Sequence, residues 1–157
     1  ILGKAISGGV YPVSAVLALF HDHSVKVLFS ELINDKNTHL DTEGRVLLRF
    51  SNGVVAYLEW RIGVAYKNEI DLWLEKTSLF TDKIFSKPEN FQPVYSIRDE
   101  NGNESLEDGE KSEQFLEMFH NFYNMLGSTN QYNEMYKDIL DRSRVMDEII
   151  KYSKPNK

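Results

Sequence analysis

Residues 45–62 read RVLLRFSNGVVAYLEWRI. Two runs of alternating character flank Asn52-Gly53, a dipeptide that tolerates left-handed backbone, and the pattern predicts a β-hairpin closed by a tight type I′ turn. Alternation places Val46, Leu48 and Phe50 on one face of the first arm and Val54, Ala56, Leu58 and Trp60 on one face of the second. Arg45, Arg49, Glu59 and Arg61 fall on the opposite side. The hairpin thus reads as part of a sheet with one apolar and one polar face.

The same period continues on both sides. Upstream, Val25, Val27, Phe29 and Glu31 alternate with Lys26, Leu28, Ser30 and Leu32, a strand that runs into the polar loop NDKNTHLDTEG. Downstream, NEIDLWLEK, with Ile70, Leu72 and Leu74 on one face, SLFTDKIFS and QPVYSIR read as further strands. The expectation is a largely antiparallel open sheet of about five or six strands. Residues 99–113, DENGNESLEDGEKSE, read as an acidic loop. Two helical stripes follow: Phe115, Met118, Phe119, Phe122, Met125 and Leu126, closed by Gly127, then Tyr132, Met135, Tyr136, Ile139, Ser143, Met146, Ile149 and Ile150. A helix, a run of strands and two helices make an α+β fold with helices on one face of the sheet.

Bulk properties limit the function classes. The 157 residues suit one domain, and 41% hydrophobic with 27% charged residues is the composition of a globular chain. A net charge of −6 supplies no basic stripe, so neither nucleic acid nor an anionic membrane surface is an expected partner. Cysteine is absent, which removes disulfide and thiolate chemistry and fits a reducing, cytoplasmic setting. The apolar run near residues 10–20 is too short to span a bilayer and contains Pro12; no signal peptide or anchor is expected.

Chemistry concentrates in residues 5–20, AISGGVYPVSAVLALF. Pro12 suits the first turn of a helix, and Val13, Val16, Leu17 and Phe20 recur at helical spacing. Tyr11 stands where free backbone N–H groups and the helix dipole favour negative charge, which suits a proton donor or acceptor. Gly8 and Gly9 permit close backbone approach by a ligand. Spacing alone leaves a second reading open, in which Tyr11 is a packing residue and the glycines only make a turn.

ILGKAISGGVYPVSAVLALF resembles the segment that opens the second domain of the glucose-fructose oxidoreductase/inositol dehydrogenase (Gfo/Idh/MocA) family, where a Gly-rich stretch, an Asp, a Gly and a His or Tyr precede a helix. Gly3, Gly9, Tyr11 and Pro12 fall on that pattern. GRVLLRFSNGVVAYLEWRIG is similar to the family's hairpin, and YKNEIDLWLEKTSLFTDKIFSKP to its following strands; the likeness runs from residue 1 to about 98. The resemblance implies that Tyr11 sits beside the nicotinamide ring of NAD or NADP and carries a hydroxyl proton while hydride moves to or from a sugar or cyclitol. It further implies that Ser7, Gly9, Tyr66 and Asn68 line the substrate pocket. Ser7 stands where the family has an Asp, so a carboxylate is missing at that point. The family's Rossmann domain and its catalytic Lys have no counterpart: SGGVYP is no G-x-G-x-x-G, and Lys4, Lys67 and Lys87 lie in unmatched contexts. Residues 1–157 therefore read as a single substrate-binding and oligomerisation domain, a piece lacking an N-terminal Rossmann domain of roughly 100 to 150 residues. Homo-oligomers through the open sheet face are expected, with Trp60, Trp73 and Tyr57 meeting a second subunit.

Other patterns weigh less. His21 and His23 lack a third ligand at metal spacing. DENGNESLEDGE approaches an EF-hand loop but has Glu104 where glycine is required. Glu59, Glu69 and Asp71 form a polar strand face more simply than a glycosidase pair. The competing function class is a stand-alone binding or assembly module with the same sheet and no redox chemistry.

Overall fold

A computed structural model describes residues 8–35, 37 and 41–153. The element order is α1 (Val10–Leu19), β1 (Val25–Asn34), β2 (Asp41–Phe50), β3 (Val55–Arg61), β4 (Glu69–Trp73), β5 (Thr77–Asp82), β6 (Val94–Asp99), β7 (Glu104–Asp108), α2 (Gln114–Met125) and α3 (Thr129–Tyr152). The chain divides into two compact units, Ile1–Val64 with Asn130–Lys157, and Ala65–Thr129. The α+β class and the antiparallel pairing are as expected. Among the described residues seven strands form, in two hydrogen-bonded sheets of three and four strands.

In the first unit β1, β2 and β3 pair antiparallel in that order. Val46, Leu48, Phe50, Leu58 and Trp60 are buried on one face, as the hairpin's alternation requires. Val13 and Val16 of α1 and Val145 and Ile149 of α3 join the same cluster. The phenyl rings of Phe20 and Phe50 meet at 4.8 Å. Burying a side chain such as Ile149 is worth about 1.5–3 kcal/mol, so a few residues suffice to hold α3 on the sheet. Ser153 Oγ accepts a hydrogen bond from the N–H of Leu32 at 3.1 Å and fixes the end of that helix to edge strand β1.

Two local features differ from the alternation rule. Val27 pairs with Leu48 and Phe29 with Leu47, so Leu28 is an extra residue in β1. That bulge turns Phe29 outward to solvent and Ser30 and Leu32 into the core, reversing the face that strict alternation assigns beyond Val27. The hairpin turn is also not type I′. Gly53 has φ +91° while Asn52 keeps negative φ. The N–H of Gly53 donates to the carbonyl of Phe50 and that of Phe50 to Val54, both at 2.9 Å, which makes a three-residue loop ending in a left-handed glycine. Asn52 uses its side chain instead, accepting from the N–H of Val54 at 3.1 Å.

The second unit is a meander, β4-β5-β6-β7, with every neighbouring pair antiparallel. Its last hairpin repeats the loop of the first: Gly102 has φ +84° and donates to the carbonyl of Asp99 at 3.1 Å, and Asp99 donates to Asn103 at 3.0 Å. Strand β7 lies inside the segment read as an acidic loop. All five of its residues are exposed, so no apolar alternation marks it; backbone pairing to β6 makes it a strand. Helix α2 forms where its stripe predicts, yet none of its residues is buried.

Candidate functional site

Helix α1 begins at a glycine pair. Gly9 is the N-cap and its carbonyl accepts from the N–H of Val13 at 3.1 Å. Pro12 occupies the first turn, where its missing N–H costs nothing. Val13 and Val16 face the core, which leaves Tyr11, one residue before Pro12, directed away from it; the side chain is 55% exposed. The phenol is therefore not a core residue.

What holds this turn in place is an indole. Trp60 lies in β3 directly opposite Gly44 of β2. Its Nε1–H donates to Oδ2 of Asp41 at 2.5 Å, and both side chains are buried. A Cβ added to Gly44 would overlap the six-membered ring, and one added to Gly8 would come within 2.6 Å of Cδ1. The ring is thus packed between two glycine backbones, one of them leading into α1. Trp60, expected at a subunit contact, is instead a core residue: its position on the inner face of β3 and its bond to Asp41 turn it away from solvent.

Ser7 lies outside the described residues. Gly9 and Tyr11 belong to the first unit, while Tyr66 and Asn68 belong to the second. Tyr66 and Asn68 are brought together, with Asn68 Nδ2 donating to the Tyr66 hydroxyl at 2.8 Å. The Asn68 amide also brackets one residue, donating to the carbonyl of Phe85 at 2.5 Å and accepting its N–H at 3.1 Å. Its backbone carbonyl accepts the N–H of Lys83 at 2.6 Å, where φ is +53°. Asn68 thus ties the loop after β5 to the start of β4. Tyr66 is 76% exposed.

Each sheet carries a polar exposed face. On the first, Arg45 bridges its cross-strand neighbours Glu31 at 2.6 Å and Glu59 at 3.5 Å and reaches Glu43 of its own strand at 3.2 Å; Arg61 joins Glu59 at 3.2 Å and Glu43 at 3.4 Å. The hydrogen bond to Glu31 holds the Arg45 guanidinium above its ordinary pKa. Beside this network stand Phe29, Val55 and Tyr57, all exposed. Desolvation, with the Glu59 carboxylate second, raises the Tyr57 phenol above its usual range. On the second sheet an open cleft of about 460 Å³ is lined by Asp71, Trp73, Lys76, Ser78, Arg98 and Asp99 among others. Trp73 there is 94% exposed. Neither Tyr66 nor Asn68 lines this cleft. Sequence patterning found the aromatic positions but missed Asp41, which sits in a polar run with no sign that its side chain turns inward.

Among the described residues no cluster of three His, Asp or Glu side chains could hold a metal ion. No described helix is long and apolar enough to cross a membrane.

No protein-family model and no curated protein matches the sequence. Solved structures do. KijD10, a 3-ketoreductase from Actinomadura kijaniata, in complex with NADP, superposes with a TM-score of 0.87 at 21% identity, over 98% of this chain and 49% of its own. The same protein with NADP and TDP-benzene gives 0.85 at 21% identity, over 93% and 44%. A protein from Erwinia carotovora atroseptica SCRI1043, described as an oxidoreductase, gives 0.63 at 14% identity, over 93% and 46%. The chain spans about half the length of the structures it matches. The chain has the fold of the C-terminal domain of the Gfo/Idh/MocA family.

Proposed function

We propose that this chain is the substrate-binding and oligomerisation domain of an NAD(P)-dependent oxidoreductase that interconverts a hydroxyl and a ketone on a sugar or cyclitol. The observation that carries the reading is Tyr11: an exposed phenol on the first turn of α1, behind two glycines, in a fold shared with NADP-bound KijD10. The TDP-benzene held by KijD10 favours a nucleotide-linked sugar as the substrate class.

The residues present fit one side of a nicotinamide site. Among the described residues no strand leads into the glycine pair before α1, as the strand–glycine turn–helix unit of a dinucleotide site would need. What it offers is an acid. A nicotinamide bound by a second domain would supply or accept hydride. Tyr11 then gives its Oη proton to the carbonyl oxygen as ketone becomes alcohol, and takes that proton back in the oxidising direction. Gly9, Ser7, Tyr66 and Asn68 are the proposed substrate contacts, with Asn68 acting mainly through the loop it fixes. Exposed Tyr57 and Trp73 are the proposed contacts to further copies of the chain.

The reading is tested by cofactor binding. Titrated with NADPH or NADH, this chain alone should show no binding, and a protein carrying the natural upstream sequence should bind. A natural protein with no nucleotide-binding domain would overturn the reading in favour of a stand-alone assembly module.

A further inference from the structure

We propose that Trp60 is the residue that positions Tyr11, an inference that rests, for its catalytic consequence, on the role of Tyr11 proposed above. Three observations converge. The indole cannot swing, because it is buried and its Nε1–H is bonded to the buried Asp41. The ring lies against Gly8 so closely that a methyl group there would reach within 2.6 Å of Cδ1 and 3.3 Å of Cγ and Nε1. Gly8 is joined directly to the buried N-cap Gly9, and Tyr11 is two residues further on, in the first turn of α1.

The ring therefore acts as a seat for the chain entering α1. The core contacts of Val13 and Val16 hold the helix beyond Tyr11, and the indole holds the backbone before it. A phenol exposed on its own side is fixed from both ends of its short segment. Proton transfer needs that precision, since a misplacement of about 1 Å can cost on the order of 100-fold in rate. Asp41 belongs to the device because it fixes the plane of the indole; Gly44 belongs to it because only glycine leaves room for the ring across the strand pair.

The test uses this chain labelled with 3-fluorotyrosine, with the Tyr11 signal identified by Tyr11→Phe. Trp60→Phe and, separately, Gly8→Ala should shift and broaden the Tyr11 fluorine resonance while that of Tyr66 stays in place. Asp41→Asn keeps an oxygen acceptor for the indole N–H and should leave the Tyr11 signal near its original position. Gly8→Ala alters no residue of the described sheets, so it decides the question even if Trp60→Phe fails to fold. A Tyr11 signal unmoved in folded Gly8→Ala overturns the proposal. In the full-length protein, Trp60→Phe should lower kcat by about 10- to 100-fold with KM nearly unchanged, and Asp41→Asn should retain most of the activity. If Tyr11→Phe leaves turnover intact while the fluorine coupling persists, the proton-carrier reading fails and the positioning contact stands.

Discussion

Trp60 and Gly44 face each other across β2 and β3, and the indole fills the volume that any side chain at position 44 would need. A cross-strand pair of the largest and the smallest residue lets one side chain cover the backbone of its neighbour. That exchange lies in the core of the first unit and carries the first prediction.

Gly44→Ala should destabilise the fold by about 1–3 kcal/mol, the range for overpacking a closed core. Urea unfolding measures it. Combined with Trp60→Leu, the loss should be smaller than the sum of the two single losses, because the clash that Gly44→Ala creates is with the ring that Trp60→Leu removes. Additive losses would mean the two residues are not coupled.

Ser30→Ala should stabilise the chain. The bulge at Leu28 carries Ser30 into the core, where its hydroxyl is buried and has no hydrogen-bond partner among the described residues. Removing an unsatisfied buried hydroxyl recovers about 1 kcal/mol of desolvation cost. The expected result is a higher melting temperature; a lower one would show that the hydroxyl has an acceptor or donor in solution.

Asp99 closes the β6–β7 hairpin from its side chain. Its carboxylate accepts from the N–H of Asn101 at 2.8 Å, the N–H of Asn103 at 2.9 Å and the Asn103 amide at 2.8 Å. These bonds, led by the Asn103 side chain, hold its pKa below the ordinary Asp value. A depressed folded-state pKa favours the ionised form, so the contribution is present above the unfolded pKa and is lost as pH falls through the folded one. Carboxyl-carbon NMR should place the Asp99 midpoint below that of a model Asp peptide, and Asn103→Ala should move it back up.

Tyr11→Phe should leave folding intact, since the side chain is exposed, and should lower turnover of the full-length protein by about 100-fold or more if the phenol moves a proton. Steady-state kinetics beside a thermal melt separates the two effects. Unchanged turnover would remove Tyr11 from the chemistry.

Where backbone chemistry and side-chain period agree, the sequence is legible residue by residue. Asn52-Gly53 announced a hairpin, the alternation of β2 and β3 named the buried face, and the stripes of α2 and α3 located both helices. The exposed position of Tyr11 was left open by spacing and became clear only once Val13 and Val16 were seen to take the core side of α1. Legibility failed where one element answers to another. Strand β7 has no apolar face and exists through its ladder to β6.

The sequence by itself determined the helices and every strand but β7 and, through Pro12 and the glycines before it, where α1 starts. Tertiary structure decided where the pattern is broken. A single extra residue at Leu28 exchanged Phe29 for Ser30 in the core, and the ring of Trp60 turned inward onto Gly8, Gly44 and Asp41, residues 52, 16 and 19 positions away along the chain. The reason is physical: periodicity records what each residue prefers, whereas a bulge or a buried indole is settled by the volume and the hydrogen-bond partners that distant parts of the chain leave available.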